Sequence, residues 1–370
     1  MDRRGITAVV LAAGNSSRMG RFKPLLPIGG VTMVERTVAL FRKAGIEDIC
    51  VVTGHGREQL APLFETAAVR NIVNRRDHLE MFSSVRLALD AMEPETEAVI
   101  LLPADIPLIR PWTVRFLLES HHRDRDRILI PCFRGKRGHP VIIPREYFDT
   151  IRSWCGKEGL KGVLDRLAPG TVPVAVADEN ILFDIDTPAD YEAALERWER
   201  FAVPNRNECE AILRDVVRVT EAVYRHCQTV AAVAERICAV LSRAGWRMDS
   251  NLIVSAALLH DLAKGCPHHE KRAAELLMDM GFPETARIVA SHTDIECSGE
   301  ARPTCAEVLY LADKLVKGDR SVNLEDRFEA AMKRYGADPW IRGRIWKRMQ
   351  DAHRIREKIE AATGSSLPLN

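Results

Sequence analysis

Val9-Val10-Leu11-Ala12-Ala13-Gly14-Asn15-Ser16-Ser17-Arg18-Met19-Gly20-Arg21-Phe22-Lys23-Pro24-Leu25-Leu26-Pro27 decides the fold of the first half of the chain. The stretch opens as a short apolar run with β-branched residues, the mark of a buried strand. It then breaks into a loop of small residues, Ala12, Ala13, Gly14, Ser16 and Ser17, where a ligand can approach the backbone. Arg18 and Lys23 in the same loop can neutralise phosphate oxygens. A strand that exits into a small-residue loop is how α/β proteins present backbone N–H groups to phosphate. Taken alone, such a loop is more often an ordinary strand exit with solvated cations, so the surrounding chain has to decide.

Working outward, Thr32-Met33-Val34-Glu35 reads as a capping box, and a helix should run from it to a stop at Gly45. A strand at Ile49–Thr53, a helix near residues 58–66 and a short strand near 69–73 follow. Val85, Leu87, Ala88, Leu89 and Met92 are apolar at helical spacing, which predicts a helix from Ser83 or Ser84. Residues 98–102 form a continuous apolar run of the kind buried on both faces of a parallel sheet. Pro111 starts the next helix, supported by Val114, Leu117 and Leu118. This alternation predicts an α/β doubly wound, Rossmann-like domain over residues 1–200, with ligands beyond the carboxyl ends of its strands.

Two acidic segments fall at that edge. In Pro103-Ala104-Asp105-Ile106-Pro107, the Asp directly follows a buried strand and is held between prolines. Such a rigid carboxylate is the hard oxygen ligand that Mg²⁺ requires when it also holds substrate phosphates. In Phe183-Asp184-Ile185-Asp186-Thr187-Pro188-Ala189-Asp190, a strand end should run into a helix, with Thr187 as N-cap and Pro188 at the first helical position. Alternation places Asp184 and Asp186 on one face. Capping accounts for Thr187 and Asp190 but not for two acids side by side.

The opening stretch matches L-A-A-G-x-S-x-R-M-G-x-x-K-x-L-L-P and resembles the MobA-like nucleotidyltransferases. Its Ala-Ala-Gly form, Leu11 to Gly14, is similar to the molybdenum cofactor cytidylyltransferases. Pro103–Pro107 resembles their metal-binding G-D-M-P segment, with Ala104 in place of the Gly. Asp184–Asp190 is similar to their D-I-D-T-P-E-D motif, Gly135–Pro140 to their G-x-x-G-H-P loop and Met81–Ser84 to their G-M-x-x-S segment, where Glu80 replaces the Gly. The resemblance covers residues 6–195. It implies a nucleotide site at Leu11, Ala12, Ala13, Gly14, Ser16, Arg18, Lys23 and Ser84, with Arg18, Lys23 and Asp105 catalytic. Gly138, His139 and Pro140 would lie beside the substrate, and Mg²⁺ would sit on Asp105 with Asp184 or Asp186. The implied reaction moves a nucleotidyl group from an NTP, CTP foremost, to molybdopterin and releases pyrophosphate. A molybdoenzyme or cofactor insertion protein would receive the product. The rival acceptor is a sugar phosphate or another alcohol phosphate.

At 370 residues the chain is long enough for roughly two domains. A net charge of +1 gives no argument for nucleic acid or a membrane surface as partner. No apolar segment approaches the ~20 residues that span a bilayer. Asp2, Arg3 and Arg4 precede an apolar run, as in a signal peptide, but a first strand explains that run better. The 9 cysteines show no C-x-x-C pair, which points to reduced thiols and the cytoplasm.

Residues 198–207 read as a short linker, and beyond them the pattern changes to helical spacing, as in Val230, Val233, Ala234, Ile237 and Leu241. An all-α domain is expected over 207–365, with breaks at Gly245, at 265–267, at 281–283, at 299–303 and at 336–339. His226, His260, Asp261, His269, His292 and Asp313 lie at apolar borders of these helices. Each alone could be a satisfied core residue, but Asp313 among Leu311, Ala312 and Leu315 would be a costly buried charge without a partner. Shared metal satisfies all of them, and mixed nitrogen and oxygen ligands suit Fe, Mn, Zn or Co.

Leu259-His260-Asp261-Leu262-Ala263-Lys264 with His226 and Asp313 resembles the H…HD…D signature of HD-domain metal-dependent phosphohydrolases. His269–Ala274 is similar to the H-x-x-x-G-A segment of the dinuclear subgroup, with Ala273 for Gly, and His292 to its next His. By that resemblance His226, His260, Asp261 and Asp313 hold one metal, and Asp261 bridges to a second on His269 and His292. The pair would clamp a phosphate and activate a water for in-line attack, with Lys264 on the phosphate. The other reading makes this domain a nucleotide-sensing or interaction module. His55, His78, His121, His122, His268 and His353 are expected at the surface.

Overall fold

The computed structural model describes residues 5–14, 17–62, 64, 68–75 and 81–367. Ser16, His78 and Glu80 lie outside the described residues, as do 63, 65 and 66 of the helix expected near 58–66, where the described chain forms a 3-10 helix at Arg57–Leu60. The chain divides into two compact units, Met1–Arg200 and Phe201–Asn370.

The first unit is built on an eight-stranded sheet. Its strands are β1 (Ile6–Ala12), β2 (Ile49–Thr53), β3 (Arg70–Val73), β4 (Ala98–Pro103), β5 (Ile128–Phe133), β6 (Lys136–Arg137), β7 (Val141–Pro144) and β8 (Thr171–Ala175). They lie in the order β8-β5-β7-β4-β1-β2-β3, with β6 on β5. The strands β1 and β4 are central and pair in parallel, Leu11 opposite Pro103. The expected layering is present, but β7 runs antiparallel to both β4 and β5 and β6 runs antiparallel to β5, so the sheet is mixed.

The helices that frame this sheet include α1 (Met33–Lys43), α2 (Phe82–Asp90), α3 (Pro111–Arg123) and α4 (Pro188–Glu199), and two shorter ones, Phe148–Ser153 and Gly159–Arg166, add to the core. The Thr32–Glu35 capping box forms as read, satisfying both ends of the reciprocal bond at the start of α1. On one face Val9, Leu11 and Leu101 pack with Val85 and Leu89 of α2. Each such aliphatic side chain contributes roughly 1.5–3 kcal/mol on burial. By alternation Ala8 and Val10 face the opposite layer, where α1 meets β1 and α3. His121 departs from expectation: it is buried at 6% exposure in α3, and burial lowers its pKa.

The second unit is helical: α5 (Glu221–Arg243), α6 (Ser250–Leu259), α7 (His269–Met280), α8 (Pro283–Ala290), α9 (Cys305–Lys314), α10 (Leu324–Tyr335) and α11 (Pro339–Thr363). A further short helix, Arg206–Ala211, is N-capped by Asn205 and continues into a π-helical turn at Ile212–Val216. The expected breaks at glycine and proline all separate helices. One feature amends the all-helical expectation: Val316–Lys317 and Arg320–Ser321 pair as a small antiparallel hairpin. The helix α6 is buried from Ile253 to Leu259, and it packs against α5, α8 and α9. An apolar circumference of this kind requires a central position. Among the described residues no helix is long and apolar enough to cross a membrane, and all nine cysteines are free thiols.

Candidate functional site

In the first unit, three segments meet at the carboxyl edge of the sheet through single backbone bonds. Ala104 N donates to Leu11 O at 2.9 Å, and Ile185 N donates to Asp105 O at 2.9 Å. The loop after β1, the loop after β4 and the segment before α4 are thereby laid side by side. Lys23 Nζ then reaches Asp105 Oδ2 at 3.2 Å and Asp186 Oδ1 at 2.9 Å, while Arg18 Nη2 reaches Asp186 Oδ2 at 2.8 Å. Asp184 is exposed, and Ile185 between the acids is fully buried. The segment 183–186 is irregular rather than the expected strand end, because one bond to Asp105 replaces a ladder; the alternation of side chains survives.

Two cations, Arg18 and Lys23, and two carboxylates, Asp105 and Asp186, line this cleft. Burial raises the Asp105 carboxyl above its ordinary range against the pull of Lys23, and Asp186 and Asp184 push it the same way. Burial opposes the Lys23 ammonium, yet hydrogen bonds and charge from Asp186 and Asp105 hold its pKa above the ordinary value. Two carboxylates thus converge on a single cation position, the donor set that a hard divalent ion takes beside phosphate. The cleft has a volume of about 220 Å³, and its lining includes Leu11, Ala12, Gly14, Arg18, Lys23, Met81, Asp105 and Asp186. Among the described residues a Cβ on Gly14 would meet nothing within 4 Å.

Other expected contacts fall elsewhere. Ala13 is buried at 7% in the core layer. Ser84 is buried, its hydroxyl accepts from Asn74 Nδ2 at 2.9 Å, and it does not line the cleft; Met81 does. Gly138 has a packing role: a Cβ there would sit 2.4 Å from Ile181 O, and His139 N donates to that same oxygen at 3.0 Å. The loop therefore braces the segment that carries Asp184 and Asp186. Pro140 is buried, and burial pushes the His139 ring down to about 4, against the nearby Asp184 carboxylate.

The second unit gathers its six expected residues around Asp261. This residue lies two positions beyond the end of α6 and is nearly inaccessible. Its Oδ2 faces His226 Nε2 at 3.6 Å and His260 Nε2 at 3.6 Å. Its Oδ1 faces His269 Nε2 at 3.3 Å and His292 Nε2 at 3.7 Å. Asp313 Oδ1, at the end of α9, completes the first side, 3.3 Å from His226 Nε2 and 3.7 Å from His260 Nε2. Lys264 Nζ stands 2.9 Å from Asp261 Oδ2.

The outer nitrogens fix which inner nitrogens are available. Nδ1 of His226 bonds Gly318 O at 2.8 Å, that of His260 bonds Ala257 O at 2.8 Å, and that of His292 bonds Val289 O at 2.7 Å. A ring that donates from Nδ1 to a carbonyl presents an Nε2 lone pair inward. The hairpin at Gly318, unforeseen in the sequence, supplies one of these acceptors. His260 Nε2 is a buried polar atom with no hydrogen-bond partner among the described residues. Buried polar atoms are seldom left so, and a metal ion would satisfy it. The residues therefore fit two ions sharing the Asp261 carboxylate. Burial drives His260 down to about 4, while Asp313 is held well below the carboxylate range despite its burial, by Lys314, His226 and Arg327.

Lys314 was not singled out from sequence. It is buried at 6% exposure and donates to Asp313 Oδ2 at 2.6 Å and to His292 O at 3.2 Å. The available signal was a lysine inside the apolar run 308–316, where a charge needs a partner. His268 is exposed, as expected, and His353 is half-buried beside Arg356.

Comparison with known proteins divides the chain at the same place. Residues 8–171 match the MobA-like NTP transferase domain, and residues 223–318 match the HD domain. The molybdenum cofactor cytidylyltransferase of Escherichia coli (strain K12) is 25% identical over 198 residues, 52% of this chain and 97% of that relative. The bifunctional protein GlmU of Geotalea daltonii is 30% identical over 142 residues, 37% of this chain; the match spans only 31% of that relative. Among solved structures, Rv0371c from Mycobacterium tuberculosis H37Rv is 27% identical over 52% of this chain and 98% of that one, with a TM-score of 0.46. The chain carries a MobA-like NTP transferase domain followed by an HD domain, and it is an enzyme.

Proposed function

On a chain built from these two domains, we propose a bifunctional enzyme. Its first unit transfers a cytidylyl group from CTP to molybdopterin with release of pyrophosphate, and its second hydrolyses a phosphoester or phosphoanhydride. The observation that carries the transferase reading is the convergence of Asp105 and Asp186 on one cation position beside the loop after β1. The choice of molybdopterin and CTP rests on the near full-length match to the E. coli cytidylyltransferase and on the quoted motifs.

In this reading Asp105 and Asp186 would hold Mg²⁺, which would supply neutralisation of the charge developing on the phosphates. Lys23 and Arg18 then turn from the carboxylates to the triphosphate. The acceptor phosphate oxygen bonds to the α-phosphorus, the bond from that phosphorus to the bridging oxygen breaks, and pyrophosphate leaves. No side chain acts as nucleophile. In the second unit, His226, His260, Asp261 and Asp313 would hold one transition-metal ion and Asp261, His269 and His292 another. Such ions polarise a phosphate and lower the pKa of water. Lys264 orients the bound phosphate. The free thiols support a reducing compartment, the cytoplasm.

Pyrophosphate release by the full chain, followed for each NTP with molybdopterin or a sugar phosphate as acceptor, tests the transferase reading. CTP with molybdopterin should react fastest, and Asp105→Asn should lower that rate by about 10²–10³-fold. A preference for GTP, or reaction with the sugar phosphate alone, would sink the assignment.

A further inference from the structure

The cavity of the second unit has a wall that phosphoester hydrolysis alone does not require. Its volume is about 530 Å³, within the range of small-molecule sites. One pole is the Asp261 and histidine cluster. The facing wall comes from α10 and α11, beyond residue 318 where the HD-domain match stops. Arg327, Phe328, Ala331, Arg334 and Tyr335 of α10 all line it. Their spacing puts them on one face of that helix. The face is an apolar strip with an arginine near each end.

The two ends differ. Arg327 Nη2 lies 3.8 Å from Asp313 Oδ1, so that end adjoins the histidine pole. At ~1.5 Å rise per residue, Arg334 stands about 10 Å further along the helix. The cavity's carboxylates, Asp261 and Asp313, sit at the first end and engage Lys264 and Lys314 at 2.9 and 2.6 Å. Arg348 is taken by Asp294 at 2.8 Å. Lys317 and Arg334 also line the cavity, and among the described residues neither forms a salt bridge. The Arg334 guanidinium lies 5.1 Å from the centre of the Tyr335 ring, which is 49% exposed and offers a flat platform.

We propose that this wall reads a second anionic group, so that the site takes a nucleotide carrying two separated phosphates. One phosphate meets the Asp261 pole, the other meets Arg334, and the apolar body lies along Phe328, Ala331 and Tyr335. At the first pole a water oxygen bonds to phosphorus, the ester P–O bond breaks and the leaving alkoxide takes a proton; the distant phosphate stays intact. This inference rests on reading the unit as a phosphohydrolase, and its test separates the two.

Adenosine 3′,5′-bisphosphate and adenosine 5′-monophosphate are titrated into the Mn²⁺-loaded full chain by calorimetry, and their hydrolysis is followed in the same protein. The bisphosphate should bind at least about tenfold more tightly than the monophosphate. Arg334→Gln should shrink that ratio to about twofold, and Arg334→Lys should keep most of it. In the Mn²⁺-loaded chain the kcat/KM ratio should follow the binding ratio. A wild-type chain that does not discriminate, including one that binds neither nucleotide, overturns the inference, as does a ratio unmoved by Arg334→Gln. An Arg334-dependent binding ratio with no phosphate release from either nucleotide sinks the hydrolase reading and leaves the two-anion site standing.

Discussion

Single residues set the chemistry of both clefts, and several do so by holding another side chain. Asp186 is placed by its neighbours: its backbone N–H donates to Asp190 Oδ2 at 3.1 Å, the carboxylate that also closes the cap of α4. Asp184, two residues away, is exposed and outside the cleft. Asp186→Asn should therefore lower nucleotidyl transfer far more than Asp184→Asn, on the order of 10²-fold against a few-fold. Equal losses in a pyrophosphate assay would show that both acids serve the metal. Lys314 is the corresponding case in the second unit, paired in a buried setting with Asp313. In metal-free protein Lys314→Met should cost about 3–5 kcal/mol in urea unfolding, because it strands a buried carboxylate. A loss under about 1 kcal/mol would mean that Arg327 alone can neutralise Asp313.

At the scale of elements, what the sequence revealed followed periodicity. The runs around Val9 and Ile100, the caps at Thr32 and Thr187 and every glycine or proline break in the second unit announce themselves locally. Strand direction does not: Val141–Pro144 is a short apolar run whose antiparallel pairing depends on chain distant in sequence. Neither does the depth of a helix in its layer, which is why His121 was expected at the surface. The hairpin at Gly318 is too short to carry a period, although it holds the ring of His226.

A tie between elements offers a pH test. Asp294, after α8, accepts from Arg348 Nε at 2.8 Å and from Arg344 Nη2 at 2.6 Å, both on α11. Burial opposes the Asp294 carboxylate, but the two guanidinium groups prevail and hold its pKa at about 2. A carboxyl whose pKa is lowered in the folded state stabilises above its unfolded value, and that stability is lost as pH falls through the folded value. The melting temperature of wild type should exceed that of Asp294→Asn at neutral pH, and the gap should narrow between about pH 4 and pH 2. A gap independent of pH would mean that the ion cluster contributes packing alone.

At the scale of the whole molecule, one chain carries two units, each with its own cluster of charged and ligating side chains. The second unit has its own core around α6, and its first short helix depends on Asn205 as N-cap, with Glu208 and Cys209 buried behind it. A fragment beginning at Phe201 keeps that cap and should fold alone, whereas one beginning at Asn207 loses it, at a cost of about 1 kcal/mol.

The central claim is that Asp261 joins two metal positions through its two carboxylate oxygens, one facing His226 and His260, the other His269 and His292. Elemental analysis of the purified full chain tests this directly, with Asp261→Ala and His292→Ala beside wild type. Wild type should hold about two transition-metal ions per chain, His292→Ala about one and Asp261→Ala essentially none. A single ion in wild type, unchanged in His292→Ala, would contradict it.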